Sequence, residues 1–144
     1  MDLSRLFPIL SETDVKKLKD TNIAIFGLGG VGAYALEAIA RTGVGNLYLI
    51  DGDVIEPSNI NRQLLALNST IGMPKVEVAK KRVLDINPNC NVKILQQMVK
   101  PDSDGKIKLQ FLDEIDAIVD ATDDIPLKVA LALKAEQRHI LIIY

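Results

Sequence analysis

Tryptophan is missing, and three tyrosines and three phenylalanines are the only aromatics in 144 residues, so aliphatic side chains must fill the core. The lone cysteine, Cys90, rules out an intrachain disulfide and a CxxC metal site. It sits between two asparagines ahead of an apolar segment and reads as a half-buried thiol rather than a nucleophile. The lone histidine, His139, falls at the end of a helical stretch, where its charge suits the helix C-terminus, and it takes no catalytic role. No apolar run approaches the ~20 residues that cross a membrane. The opening "MDLSRLFPILSETD" has neither a long apolar signal core nor a small-residue cleavage site. A cytoplasmic protein is the expectation. A large excess of charge is lacking too: the net charge of −2 argues against a dominant nucleic-acid surface. Three lysine-containing clusters, "VKKLK" at 15–19, "KKR" at 80–82 and "KIK" at 106–108, read as solvated helix faces.

What is present is a regular alternation. Short segments rich in isoleucine and valine, at 22–26, 46–51, 91–95, 115–121 and 140–144, read as strands buried on both faces. Between them the pattern predicts helices over 31–43, 74–87, 104–112 and 126–138, with a further short helix before the first strand capped by Ser11 or Thr13. Pro74 and Pro126 suit first helical turns, while Gly43, Gly45 and the "NPN" at 87–89 suit helix ends. Such alternation specifies a doubly wound α/β fold, Rossmann-like, with a parallel sheet in the order 3-2-1-4-5 and helices on both faces. Its switch point lies between strands 1 and 4, where the glycine loop at 27–32 and "DATDD" at 120–124 arrive.

Gly27, Gly29 and Gly32 form G-x-G-x-x-G directly after a strand and at the opening of a helix, and Gly30 leaves the turn barer still. The backbone can approach a phosphate there, and the helix N-terminus offers free N–H donors. Asp51 ends the second strand about 20 residues on, where an acid bonds ribose hydroxyls. With no Lys-Ser or Lys-Thr after the glycines this is not a Walker loop. NAD, FAD or a Rossmann-bound ATP remain open at this point.

The next segment, "DGDVIEPSNINRQLLALNSTIGMPK", is longer than a dinucleotide domain needs. It carries Asn59, Asn61, Arg62 and Gln63, then Lys75 at a helix start; the charged pair, Arg62 and Lys75, lies in a loop and at a helix start and not in the core. An arginine and a lysine suit a triphosphate and its departing pyrophosphate. Asp120 and Asp123 can hold magnesium on the same phosphates. Asp120 reads equally well as the cap of the following helix.

"GLGGVG", "LIDGDVIEPSNINRQ", "IGMPK" and "DATD" together resemble the adenylating domain of the ThiF/MoeB/HesA family, relatives of ubiquitin-activating enzymes. The resemblance runs from about Arg5 to the final residue. It implies that Gly30 and its neighbours contact the phosphates, Asp51 the ribose, and Asn59, Arg62 and Lys75 the polyphosphate. Gln63 would support the site and Asp123 would hold magnesium. It also implies a homodimer, in which an arginine near the N-terminus, here Arg5, reaches into the partner's site. The wording "SNINRQLLALNSTIGMPKVEV" is similar to the tRNA threonylcarbamoyladenosine dehydratase branch, which activates the carboxylate of a modified adenosine in tRNA with ATP before it cyclises with loss of water. Activators of ubiquitin-like sulfur-carrier proteins are the alternative branch. Relatives continue with further strands and a crossover loop, so 1–144 reads as an ATP-binding adenylating domain, the N-terminal part of a longer family domain. Two other classes stay in view: an NAD-binding oxidoreductase domain, which leaves Arg62 and Lys75 unexplained, and a non-catalytic nucleotide-binding subunit.

Overall fold

The computed structural model describes residues 1–5 and 8–144. Five parallel strands, β1 (Asn22–Phe26), β2 (Asn46–Ile50), β3 (Asn91–Leu95), β4 (Ala117–Asp120) and β5 (Leu141–Ile143), form one sheet in the order β3-β2-β1-β4-β5. That is the order expected from the alternation. Helices α1 (Glu12–Asp20), α2 (Gly32–Arg41), α3 (Lys75–Ile86) and α4 (Ile125–Arg138) accompany it.

Successive residues of a strand point to opposite faces, and each face buries its own core. Ile25, Leu47, Leu49 and Val92 pack with Leu36 and Ala40 of α2 and Val76, Ala79 and Val83 of α3. Ala24, Phe26, Tyr48, Ile50 and Ile118 pack with Leu127, Ala130 and Leu131 of α4 on the other face. The central strands β1, β2 and β4 are mostly apolar because both their faces are covered, whereas the edge strands β3 and β5 leave Asn91, Lys93, Leu141 and Ile143 exposed.

The helix ends follow local chemistry. Ser11 caps α1 in a reciprocal capping box with Asp14. Pro74 is the N-cap of α3, and Asp124 caps α4 by accepting from the Leu127 N–H at 2.8 Å, with Pro126 in the first turn. The cap expected at Asp120 is thus supplied by Asp124. His139 closes α4 in the left-handed conformation, φ 55°.

One expected helix is absent. Residues 104–109 contain none, and a five-residue 3-10 turn, Gln110–Glu114, is all that remains of the helix expected over 104–112. Asp102 and Gly105, the latter at φ 72°, instead make a tight turn: Gly105 N–H donates to the Asp102 carbonyl at 2.9 Å, and Asp102 N–H to the Lys106 carbonyl at 2.9 Å. The chain leaves this turn extended, with Ile107 buried and Lys106 and Lys108 exposed. "KIK" is therefore not a helix face. Tyr48 fixes the 3-10 turn on the sheet, stacking on Phe111 with centroids 5.0 Å apart and donating to Glu114 at 3.2 Å.

Candidate functional site at the sheet switch point

The carboxyl ends of β1, β2 and β4 converge on an open cleft of about 870 Å³, within the size range of small-ligand sites. β1 supplies the glycine loop, β2 Asp51, and β4 the turn Ala121–Asp124.

The four glycines of the loop divide by what surrounds them. Gly27 has φ 84°, and a Cβ there would lie 2.8 Å from the Ala121 carbonyl oxygen. A Cβ on Gly32 would lie 1.8 Å from the Gly27 carbonyl oxygen, and Gly32 itself stands behind the cleft wall. These two are glycine because the chain crosses itself. Gly29 and Gly30 line the cleft, and a Cβ there would meet nothing closer than 3.8 Å and 3.6 Å. The protein itself does not require glycine at either. Among the described residues, the backbone N–H groups of Gly29, Gly30 and Val31 donate to no other protein group. A bare, donor-rich turn at the start of α2 is an anion cradle.

Asp51 is buried and locked to this loop. Its Oδ2 accepts from the Leu28 N–H at 2.7 Å and its Oδ1 from the Asp53 N–H at 2.8 Å. Each oxygen keeps a lone pair for a further donor.

The connection after Asp51 folds over the glycine loop. It closes on itself where Val54 bridges Pro74, Lys75 N–H donates to the Asp53 carbonyl at 3.0 Å, and Ile55 N–H donates to the Met73 carbonyl at 2.9 Å. Ile55, Leu65 and Ala66 anchor it in the core. Between these anchors the chain brings Asn59, Arg62 and Gln63 to the cleft. Gln63 Nε2 is the nearest group to a Cβ on Gly29, and the Arg62 carbonyl and Cγ are nearest to one on Gly30. The exposed Arg62 guanidinium is steadied by the Ser58 carbonyl and Asn61 Oδ1, both at 2.9 Å from Nη1. Asn59 is buried and accepts from the Glu56 N–H at 3.0 Å, so part of its function is to shape the turn. Lys75 corrects an expectation: it is buried, 5% exposed, and its Nζ pairs with Asp53 Oδ2 at 2.7 Å. The charge is inside the wall of the cleft rather than free at a helix start.

Asp123 is exposed on the cleft, whereas Asp120 lies behind it. Asp120 Oδ1 accepts from Thr122 N–H at 3.1 Å and from Thr122 Oγ1 at 2.7 Å, and Lys128 Nζ stands 3.3 Å from Oδ2. Asp120 is therefore engaged in holding the turn that carries Asp123. Of the two expected magnesium carboxylates, Asp123 lines the cleft and Asp120 does not. Among the described residues no three His, Cys, Asp or Glu side chains are grouped to hold a metal ion. A phosphate-borne magnesium needs only one or two carboxylates, so Asp123 alone fits that chemistry.

Arg5 is not part of its own chain's cleft. Leu3, two residues before it, packs beside Gly43, which precedes β2 at the opposite end of the sheet. Five strand residues separate the two ends, roughly 16 Å. Cys90 is buried at the start of β3, on that same far side, and burial pushes its thiol up to about 11. His139 likewise lies outside the cleft.

Sequence reasoning missed the remaining wall. Asp53 and Glu56 line it, as do Gln97, Met98 and Val99 just after β3. Gly52 lets the Met98 segment approach, since a Cβ there would sit 2.6 Å from Met98 N. Their one sequence signal is position at the carboxyl end of a strand. Five carboxylates, at Asp51, Asp53, Glu56, Asp123 and Asp124, face the cleft against the two cations Arg62 and Lys75.

The chain as a whole is similar to known proteins. The chain is 40% identical to the tRNA threonylcarbamoyladenosine dehydratase of Bacillus subtilis (strain 168), over 91% of this chain and 50% of that protein. The crystal structure of the E. coli tRNA N6-threonylcarbamoyladenosine dehydratase in complex with ATP superposes with a TM-score of 0.85 at 32% identity, covering 97% of this chain and 56% of that one. The molybdopterin-synthase adenylyltransferase of Escherichia coli (strain K12) is 36% identical over 77% of this chain and 43% of that protein. The chain thus spans about half the length of the curated dehydratases it matches. A family model described as ThiF family matches residues 2–144. The chain belongs to the ThiF family.

Proposed function

We propose that this chain is an ATP-binding adenylating domain, and that its acceptor is the carboxylate of threonylcarbamoyladenosine in tRNA. The observation that carries the reading is the cradle of Gly29 and Gly30, open to solvent and overlaid by Arg62. The likeness to dehydratases, one of them solved with ATP, supports it. In this reading the N–H groups of Gly29–Val31 and the Arg62 and Lys75 cations face the triphosphate, and Asp51 accepts from the ribose. Gln63 and Asn59 keep the covering loop in place. Asp123 holds the magnesium that offsets the excess of carboxylates around the phosphates. An acceptor carboxylate oxygen then attacks the α-phosphorus in line; the new P–O bond forms as the bond to pyrophosphate breaks. When the modification cyclises, that oxygen leaves on AMP. The domain contributes positioning and charge stabilisation, with no covalent nucleophile of its own; buried Cys90 is not one.

The protein acts as a cytoplasmic homodimer in this reading, with Arg5 of each copy directed to its partner's cleft. Among the described residues no helix is long and apolar enough to cross a membrane.

The test is ATP–pyrophosphate exchange with tRNA bearing threonylcarbamoyladenosine. Exchange that depends on this tRNA and on magnesium is expected. The likeness to a molybdopterin-synthase adenylyltransferase favours a second reading, activation of a ubiquitin-like sulfur-carrier C-terminus. Exchange driven by such a carrier and not by tRNA selects it. Tight NAD binding without ATP binding overturns both.

A further inference from the structure

Beside the nucleotide cleft lies a second pocket of about 210 Å³, and the two share Gln97 and Val99 as a common wall. Its charge is opposite. Lys100, Lys106 and Lys108 line it against a single carboxylate, Asp102. The main cleft carries five carboxylates against two cations.

This arrangement is built by the turn that replaced the expected helix. Asp102 Oδ1 accepts from the Lys106 N–H at 2.9 Å and from the Asp104 N–H at 3.0 Å, and its Oδ2 pairs with Lys108 at 3.0 Å. The Lys106 N–H, with the Lys108 ammonium next, holds the Asp102 carboxyl below the usual carboxylate range. Ile107 is fixed in the core below. In an extended segment Lys106 and Lys108 then project to the same side, away from the sheet. The Lys108 side chain is 80% exposed, so a phosphate can exchange with Asp102 for it.

A polyanionic acceptor cannot lay its backbone on the acidic cleft lining; it needs a basic surface within a nucleotide or two of the reacting carboxylate. We propose that this lysine pocket seats the phosphate backbone of the acceptor tRNA while the modified base reaches across Gln97 and Val99 toward the ATP. The proposal rests on the tRNA reading of the site and names its contact surface. A carrier protein's C-terminal tail, which has no phosphates, would have no use for it.

The experiment compares the wild-type chain, a Lys100→Ala/Lys106→Ala/Lys108→Ala variant, and a Lys16→Ala/Lys17→Ala/Lys19→Ala control that removes the same charge from α1. Binding of tRNA bearing threonylcarbamoyladenosine is measured across a salt series, with ATP binding alongside. The pocket variant is expected to bind tRNA at least about tenfold more weakly at moderate salt, with a log–log salt slope shallower by about two. Its ATP affinity stays unchanged, and the control behaves as wild type. In exchange assays the KM for tRNA rises and kcat holds. If the wild type binds tRNA and the pocket variant matches it, or if the α1 control is equally impaired, the pocket is not the seat. A wild type that binds ATP but no tRNA removes the acceptor reading itself, and the pocket assignment with it.

Discussion

At the scale of single residues, the glycine loop separates folding from binding. Gly32→Ala drives a methyl group into the Gly27 carbonyl and is expected to cost about 3 kcal/mol of stability. Gly30→Ala leaves stability within about 0.5 kcal/mol, yet its methyl occupies the space where a phosphate would sit. ATP affinity should fall at least about tenfold. Thermal melts beside ATP titrations check the pair; equal loss of stability in both variants would refute the division. Arg62 and Lys75 differ in a related way. Arg62→Ala removes an exposed guanidinium, so turnover should fall by about 3 kcal/mol in the transition state with the melting temperature held. Lys75→Ala also empties a buried position and releases Asp53, so it should lower the melting temperature as well as turnover. Equal melting temperatures would show that the buried pair adds nothing. The sequence displayed the glycines, Asp51, Arg62 and Lys75 because each stands at a marked place: after a strand, at a strand end, in the long connection or at a helix start. It could not show that Lys75 is inside, since burial here depends on the closure of 53–55 onto 72–75, made by backbone hydrogen bonds that any side chains allow.

At the scale of elements, α2 and α3 are joined by charge as well as by apolar packing. Glu37 of α2 pairs with Arg82 of α3 and with Arg41 of its own helix. Arg82 first, then Arg41, lowers the Glu37 carboxyl below its ordinary 4.5. A depressed carboxylate contributes stability above its unfolded value and loses it as the pH falls through the folded one. Glu37→Gln should therefore destabilise the fold at neutral pH by at most about 1 kcal/mol, because both arginines are partly in solvent. The gap from wild type should close as the pH drops below 4.5; urea melts at pH 7 and pH 3 would show it, and a constant gap would contradict the pairing. Elements were legible in proportion to their periodicity. All five strands stood out because each is short and rich in isoleucine, leucine or valine, although Asn91 and Lys93 give β3 one polar, exposed face. The segment at 104–112 misled because Ile107 and Phe111 stand four apart, as on a helix face, while Leu109 between them keeps strand-like alternation. Gly105 and the Asp102 turn decided for the extended form. The wall at 97–99 carried no motif at all; only the sheet order put it beside the cleft.

At the scale of the whole molecule, the proposed homodimer makes each cleft the work of two chains. Arg5→Ala should lose turnover yet bind ATP almost normally, since Arg5 stands outside its own cleft. Mixing it with Arg62→Ala should restore part of the activity, because one cleft of the mixed dimer keeps both arginines. A monomer by light scattering, or no recovery once subunit exchange is demonstrated, would defeat the shared site. Large apolar side chains lie open at the start of α2 (Val31, Tyr34), in the connection that follows Asp51 (Leu67, Ile71) and along α4 and β5 (Ile125, Val129, Leu141, Ile143). Such surface invites association. The packing of Leu3 beside Gly43 holds this part of the N-terminal segment at the far end of the sheet from its own cleft. If the neighbour must deliver the arginine, turnover per chain depends on protein concentration: on dilution below the dimer dissociation constant it declines in proportion to the paired fraction, while ATP occupancy per chain does not. Expression level would then set specific activity as well as total activity, and an excess of a copy lacking both Arg5 and Arg62 would silence working chains by pairing with them.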